Sequence, residues 1–200
     1  MKTNTMILLS LIYVFSCTTG CNNKKHQQTD SIEATKEDFA QKTDTPIDEV
    51  STLELKRVGS NQMGYVSVPP EWSKFKDLDE NVKDLQYSDP LATTILTMNI
   101  FDTSGLSKEQ LSSFNAEEAA KNVWKNLENS GAPNVQGNTV KFQEYDDFQL
   151  YATYSDGSQL AAWIFKAEDN EIHYIAVESP TDEKFKLAVM TTSKTFSLKE

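Results

Sequence analysis

Two nearly unbroken apolar runs, Leu160–Phe165 and Tyr174–Val177, constrain the fold of this chain more than any other feature. A half-exposed strand alternates apolar with polar residues, whereas a strand covered on both faces reads as a continuous apolar run. The connections around these runs have matching chemistry. Asp156-Gly157 suits a tight hairpin turn and Asp169-Asn170 offers another, so Phe148–Ser155, Leu160–Lys166 and Ile172–Glu178 read as successive antiparallel strands. A strand over Val140–Tyr145 precedes them, which leaves Asp146-Asp147 as solvated charge in the connection.

The segments on either side complete an α+β pattern. Leu53, Leu55 and Val58 alternate, Gly59–Gln62 turns the chain, and Gly64–Val68 returns it to Pro69-Pro70, which end the strand because proline lacks a ladder donor. Asn81–Tyr87 and Ala92–Phe101 read as further strands. Ser107 with Gln110, and Asn115 with Glu118, have the spacing of helix-capping boxes. In the second of these helices Ala116, Ala120, Val123, Trp124 and Leu127 fall on one face, and Gly131 and Pro133 stop it. Ser179-Pro180 has the look of an N-cap and first helical residue, followed by Phe185, Ala188, Val189 and Thr192 at helical spacing and a short strand near Thr195–Leu198. The expected fold is α+β: a mainly antiparallel sheet with helices on both faces.

The amino terminus specifies an address. Lys2, the apolar run Met6–Phe15 and a small residue before a cysteine have the layout of a bacterial lipoprotein signal peptide, and the run is shorter than the roughly 20 residues that span a bilayer. Two cleavage frames compete. Val14-Phe15-Ser16-Cys17 places a bulky Phe where a small residue is usual, whereas Thr18-Thr19-Gly20-Cys21 has a good Thr-Gly pair and leads into Asn22-Asn23-Lys24-Lys25. Cys21 is therefore the expected site of lipid attachment, with Cys17 the alternative. An ordinary secretory signal would leave an exported chain with unpaired thiols. Residues 1–20 are then the signal peptide, 21–52 a lipid-anchored flexible tether and 53–200 the globular domain. Asn22–Pro46 has Phe39 as its only aromatic, too little apolar surface to offset the entropy of ordering. A coil of that length reaches roughly 30 Å.

The chain carries a formal net charge of −11, one unit more negative once Lys2 is removed with the signal. Nucleic acid and anionic lipid faces both require clustered Lys and Arg, so neither is an expected partner. A domain of about 145 residues buries roughly two thirds of its unfolded surface, enough for a core without disulfides.

Side chains that could carry chemistry are few. Ser73-Lys74-Phe75-Lys76 fits the S-x-x-K of penicillin-binding enzymes, but neither S-D-N nor K-T-G accompanies it. His26 lies in the tether and His173 in a buried strand pattern, and the chain has no other histidine. No nucleophile and base pair can be assembled, so no catalytic residue is assigned. No metal site and no cofactor is expected either, since zinc would need more nitrogen or sulfur ligands. The acidic clusters Asp77–Glu80, Asp146-Asp147 and Glu168–Glu171 lack the spacing of a calcium loop. Trp72, Trp124, Trp163, Tyr151, Tyr154 and Tyr174 could line a ligand groove, although core packing is the simpler expectation, above all for Trp124 on its helix face. Trp72, in a loop after two prolines, is the one expected to be partly exposed.

The order of elements, with Gly64-Tyr65-Val66-Ser67-Val68-Pro69 leading to Trp72, then Gln86-Tyr87-Ser88, one helix, a meander ending in Ile172-His173-Tyr174-Ile175-Ala176-Val177-Glu178, a last helix and a short strand, resembles the PsbP-like superfamily. Within it the chain is similar to uncharacterised lipoproteins of Gram-positive bacteria, over residues 53–198. The resemblance implies a three-layer α/β/α sandwich. It also implies adaptor roles, since members include an accessory subunit of photosystem II, a transport factor that binds the GTPase Ran, and mycobacterial lipoproteins. None of their binding residues maps onto a position here. The functional expectation is a non-enzymatic lipoprotein, extracytoplasmic and held to the cell membrane by its lipid, with a binding or accessory domain for an unknown protein or small ligand. The alternative is a carboxylate-dependent hydrolase of cell-surface glycans, which would need two carboxylates about 5 to 9.5 Å apart across a cleft. A solute-binding transporter component ranks third, because its usual two-lobed architecture is hard to fit into this length.

Overall fold

A computed structural model describes residues 54–75 and 84–200. In chain order the elements are β1 (Lys56–Ser60), β2 (Gly64–Val68), β3 (Ser73–Lys74), β4 (Leu85–Ser88), β5 (Ile95–Ile100), α1 (Lys108–Ser113), α2 (Ala116–Asn129), β6 (Asn134–Phe142), β7 (Tyr145–Thr153), β8 (Gln159–Lys166), β9 (Ile172–Ser179) and α3 (Asp182–Thr195). The first two strands form a hairpin of their own, and the other seven form one sheet in the order β3-β4-β5-β9-β8-β7-β6, antiparallel throughout. The fold is α+β, a seven-stranded antiparallel sheet with helices packed against it.

The two apolar runs become β8 and β9, side by side in the middle of the sheet and buried almost end to end. Strand parity sorts their side chains. Ala161, Trp163 and Phe165 stand opposite Val177, Ile175 and His173, and on the neighbouring strands this side carries Leu96, Met98, Tyr145 and Tyr151. Its apolar members form one cluster with Phe185 and Ala188 of α3, Phe142, and Val66 and Val68 of β2. Aromatic contacts tie it together, with Phe142 stacked on Trp163 at 5.1 Å and Tyr145 on Phe165 at 4.9 Å. Helix α2 buries Ala116, Ala119, Ala120, Val123 and Leu127. Its Trp124 is only half-buried and lies over Gly137, where an added Cβ would meet the indole at 2.8 Å and Leu150 at 3.0 Å.

Local signals account for most element ends. The Ser107–Gln110 capping box forms in full, and Asn115 caps α2 by accepting the Glu118 N–H at 3.0 Å. Gly131 follows the C-cap of α2 with φ 91°, a left-handed conformation that glycine adopts without a Cβ clash. Three expectations need correction. The β6–β7 turn falls at Gln143-Glu144, so Asp146 and Asp147 lie inside β7. Ser179 is the last residue of β9, its hydroxyl held by Thr94 at 3.0 Å, and α3 starts later, with Thr181 as its N-cap. The expected strand over Thr195–Leu198 is a single bridge between Ser197 and Tyr65, because α3 runs on to Thr195.

Candidate functional site

The β4–β5 connection, residues 89–94, gathers hydrogen bonds around one carboxylate. Asp89 Oδ1 accepts the N–H groups of Thr93 at 2.7 Å and Thr94 at 3.2 Å, and Oδ2 accepts the Thr93 hydroxyl at 2.9 Å. From α3, Lys184 Nζ donates to the same Oδ2 at 2.8 Å. The backbone closes the loop as well, Ala92 N–H donating to the Asp89 carbonyl at 2.9 Å with Ala92 held at φ 52°. Asp89 is 7% exposed, and burial alone would raise its pKa. The bonds from Lys184, Thr93 and Thr94 outweigh burial and hold it down at about 2.

Beside this loop lies a cleft of about 380 Å³, within the range of about 300 to 1,000 Å³ usual for ligand sites. Val68, Trp72, Leu187 and Ala188 give it apolar walls. Leu91, 75% exposed, and Lys184, with its side chain about half exposed, line it on the solvent side. Trp72 is buried, 7% exposed and part of the core cluster, which corrects the expectation of an exposed loop tryptophan. The reason is that the loop folds inward: Trp72 N–H donates to Pro69 O at 3.1 Å, and Lys56 Nζ bonds the carbonyls of Pro70 and Trp72.

The cleft's chemistry favours holding a ligand over moving a proton. Asp89 is ionised with both oxygens occupied, so it is a poor base and a poorer acid. The described carboxyls held above their usual range, Asp147 and Glu178, both through burial, are not among its lining residues. Lys184 keeps donors beyond the one given to Asp89 and can meet an acceptor on a ligand.

A second unusual group is Asp147. It is fully buried, and neither carboxylate oxygen has a hydrogen bond of good geometry, the nearby backbone N–H groups being poorly placed to donate to it. Burial pushes its pKa up to about 8, the backbone N–H groups of Ile164 and Phe148 pulling too weakly the other way. It shares its side of the sheet with Tyr145 and Tyr151; burial, and then the Asp147 charge, raise the Tyr151 phenol. His173 is also fully buried, stacked on Phe165 at 5.4 Å, with Nε2 3.0 Å from Asp169 Oδ2 and Nδ1 unpartnered.

The residues singled out in the sequence do not converge. Trp163 and Tyr174 are buried and Trp124, Tyr151 and Tyr154 half-buried, and of the six aromatics Trp72 alone lines the cleft. Ser73 is exposed on β3, while Lys76, Asp77–Glu80, His26, Cys17 and Cys21 lie outside the described residues. In the turn 168–171, Asp169 bonds the Glu171 N–H at 2.9 Å as well as His173, and Glu168 accepts the Tyr145 hydroxyl at 3.4 Å. Among the described residues no three His, Cys, Asp or Glu side chains group as metal ligands would. No helix among them is long and apolar enough to cross a membrane. The residues that sequence reasoning missed are Asp89, Leu91 and Lys184. The signal available for the first was the string Asp89-Pro90, a common turn opener, followed by Thr93-Thr94 with hydroxyls and N–H groups within reach.

No protein-family model matches the chain, and no curated protein sequence does. Among solved structures, the solution structure of cyanobacterial PsbP (CyanoP) from Synechocystis sp. PCC 6803 superposes with a TM-score of 0.49 at 13% identity, over 74% of this chain and 95% of that one. The crystal structure of LpqN, involved in cell envelope biogenesis of Mycobacterium tuberculosis, superposes with a TM-score of 0.38 at 14% identity, over 72% of this chain and 90% of that one.

Proposed function

We propose that this chain is a lipoprotein anchored through Cys21, with Cys17 as the alternative, whose extracytoplasmic domain is a non-catalytic binding module with its ligand site in the cleft beside residues 89–94. The observation that carries the binding reading is the cleft itself, apolar-walled and flanked by an ion pair whose carboxylate is already saturated. A site with most of its directional groups satisfied internally selects by shape and apolar contact. The anchoring reading rests on the signal-like residues 1–20 and the polar stretch after them. We further read the domain as a three-layer, PsbP-like sandwich. Strand parity supports this: Gly137, over which Trp124 of α2 lies, and its partner Leu150 are on the opposite side from Tyr145 and Trp163, which share a cluster with Phe185 of α3. The hydrolase alternative would need two free carboxyls across the cleft, one held protonated; Glu71 and Asp89 both line it, but Asp89 is ionised and committed to Lys184, Thr93 and Thr94, and the carboxyls of raised pKa, Asp147 and Glu178, are elsewhere.

The test pairs two measurements on the full chain. Intact mass of the expressed protein and of Cys21→Ser reads the anchor: a lipid-sized gain on the parent alone is expected, and equal masses overturn anchoring at Cys21. Titration with 1-anilinonaphthalene-8-sulfonate, an apolar dye with an anionic group, reads the cleft. Saturable one-to-one binding, weakened at least tenfold by Leu187→Trp at unchanged melting temperature, is expected. Binding that ignores this substitution overturns the site.

A further inference from the structure

The two ends of the seven-stranded sheet are unlike, and the difference points to a partner. The β3 end is blunted: two residues long, with the exposed Lys74 on it and Pro69-Pro70 just upstream. These are devices by which proteins keep sheet edges from pairing. The β6 end has almost none. It is nine residues long, contains no proline although Pro133 stands just before it, pairs with β7 without a bulge from Asn134↔Thr153 to Phe142↔Tyr145, and has Lys141 as its only charge. Among the described residues no strand lies on its other side.

The hydrogen-bond phase of that edge follows from the hairpin. Phe142 and Tyr145 close a two-residue connection, and the closing pair of such a hairpin exchanges its bonds across the two strands. Antiparallel ladders alternate, so Val135, Gly137, Thr139 and Lys141 turn their N–H and C=O groups to the open side. An unpaired run of this kind is a template for another strand. We propose that β6 is the dimerisation surface of this chain, pairing antiparallel with the β6 of a second copy about a two-fold axis through Asn138.

Three features select a second copy as the occupant. Asn138 is the midpoint of the strand, so this register overlaps all nine residues and lets all four outward residues exchange bonds. The side chains it sets opposite each other are compatible: Asn138 meets Asn138, Gln136 meets Val140, and Lys141 meets Val135, with no like charges facing. The chain as a whole has a net charge of −11, which repels a second copy over most of its surface, whereas the only charge on this strip, Lys141, is paired with Asp146 of β7 at 2.6 Å and leaves the edge near neutral. Trp124 adds an apolar contact. Its half-buried indole rests over Gly137, directly across from which the partner's Thr139 arrives. A strand-only contact is small, so the association belongs to the weak or transient class.

Disulfide trapping captures a weak contact and reads its register. Directly opposed residues of a non-hydrogen-bonded pair have Cα atoms about 4.5 Å apart, inside the range of about 4.4 to 6.8 Å that a disulfide spans. The full chain is oxidised with Asn138→Cys, Gln136→Cys or Val140→Cys added, the chain without an added cysteine serving as control for Cys17 and Cys21. Asn138→Cys is expected to give a covalent dimer well above the control, while Gln136→Cys and Val140→Cys give one only when mixed. Adding Thr139→Pro, which removes an outward N–H, is expected to reduce the Asn138→Cys dimer at least fivefold; a circular dichroism melt checks that this variant folds. Trapping at Asn138 no greater than the control, or equal trapping by Gln136→Cys alone, overturns the proposal. The positional pattern decides the outcome even if Thr139→Pro fails to fold.

Discussion

Asp147→Asn is expected to stabilise this protein, and to do so more as the pH rises. The Asp147 carboxyl titrates near 3.8 when unfolded and at about 8 in the fold, where burial opposes its charge. Below about pH 4 both states hold the proton and the group contributes no penalty. Between there and about pH 8 the unfolded chain releases the proton while the fold keeps it, so the fold loses about 1.4 kcal/mol of stability per pH unit. At pH 7 the accumulated loss is roughly 4 kcal/mol, an upper bound because relaxation around the charge softens it, yet large beside the 5 to 15 kcal/mol that holds most domains together. Asparagine has nearly the same shape and stays neutral at every pH. It shares with the protonated acid the cost of burying an unpaired polar head, about 1 to 3 kcal/mol, so that cost largely cancels in the comparison. Urea unfolding of parent and variant at about pH 4.5 and pH 7.5 isolates the effect. The stabilisation by Asn is expected to grow by at least 2 kcal/mol between the two, out of the roughly 4 kcal/mol that linkage allows. A gain equal at both pH values, or a loss, would refute the reasoning that this carboxyl is neutral in the folded protein.

Asp89 is expected to behave in the opposite sense: its folded pKa of about 2 lies below the unfolded 3.8, so it contributes stability above about pH 4 that disappears as the pH falls towards 2. Asp89→Asn should therefore cost about 2 kcal/mol at neutral pH and little near pH 2, read in the same urea series. Gly137→Ala is expected to cost about 1 to 3 kcal/mol, because the new methyl meets the Trp124 ring at 2.8 Å; a melting temperature equal to the parent's would show that α2 yields freely there. Gly64→Ala should cost more, since Gly64 sits at φ 83° and the methyl would meet the Phe196 ring at 2.6 Å. The left-handed conformation alone adds about 1 to 2 kcal/mol, and a thermal melt with no loss would contradict that backbone.

Much of the fold could be read from residues whose signal is local. The apolar runs of β8 and β9, the Ser107 capping box and the Gly131 stop all depend on neighbours a few positions away, and all formed where expected. The misplaced β6–β7 turn is of another kind. Gln143-Glu144 contains none of the residues that favour tight turns, whereas Asp146-Asp147 looks like a connection. Gln143 nevertheless adopts φ 55°, and its side-chain amide donates to the carbonyl of Ser193 in α3. A contact fifty residues away thus supports what local chemistry does not, while Phe142 and Tyr145 on either side of the turn both reach the aromatic cluster. Burying two rings outweighs the propensity of two turn residues.

The cleft stayed hidden for a related reason, which the two buried aspartates make plain. Asp89 and Asp147 are the same residue and both are buried, yet one titrates near 2 and the other near 8. Two things differ: Asp147 is buried more deeply, and only Asp89 has a supply of donors. Asp89 stands at the start of a turn, where the N–H groups of Thr93 and Thr94 have no strand partner to serve and Lys184 can approach from α3. Asp147 stands inside a central strand, flanked by β6 and β8, where backbone N–H groups are committed to the ladders and its neighbours across the sheet, Val140 and Phe165, are apolar. A turn carries its own donors for a carboxylate and a strand does not. The consequence for reading acidic residues is that their place within an element outranks their company in the sequence: Asp146-Asp147 reads as the more acidic site, yet Asp89 keeps its charge, anchors a helix and borders the cleft.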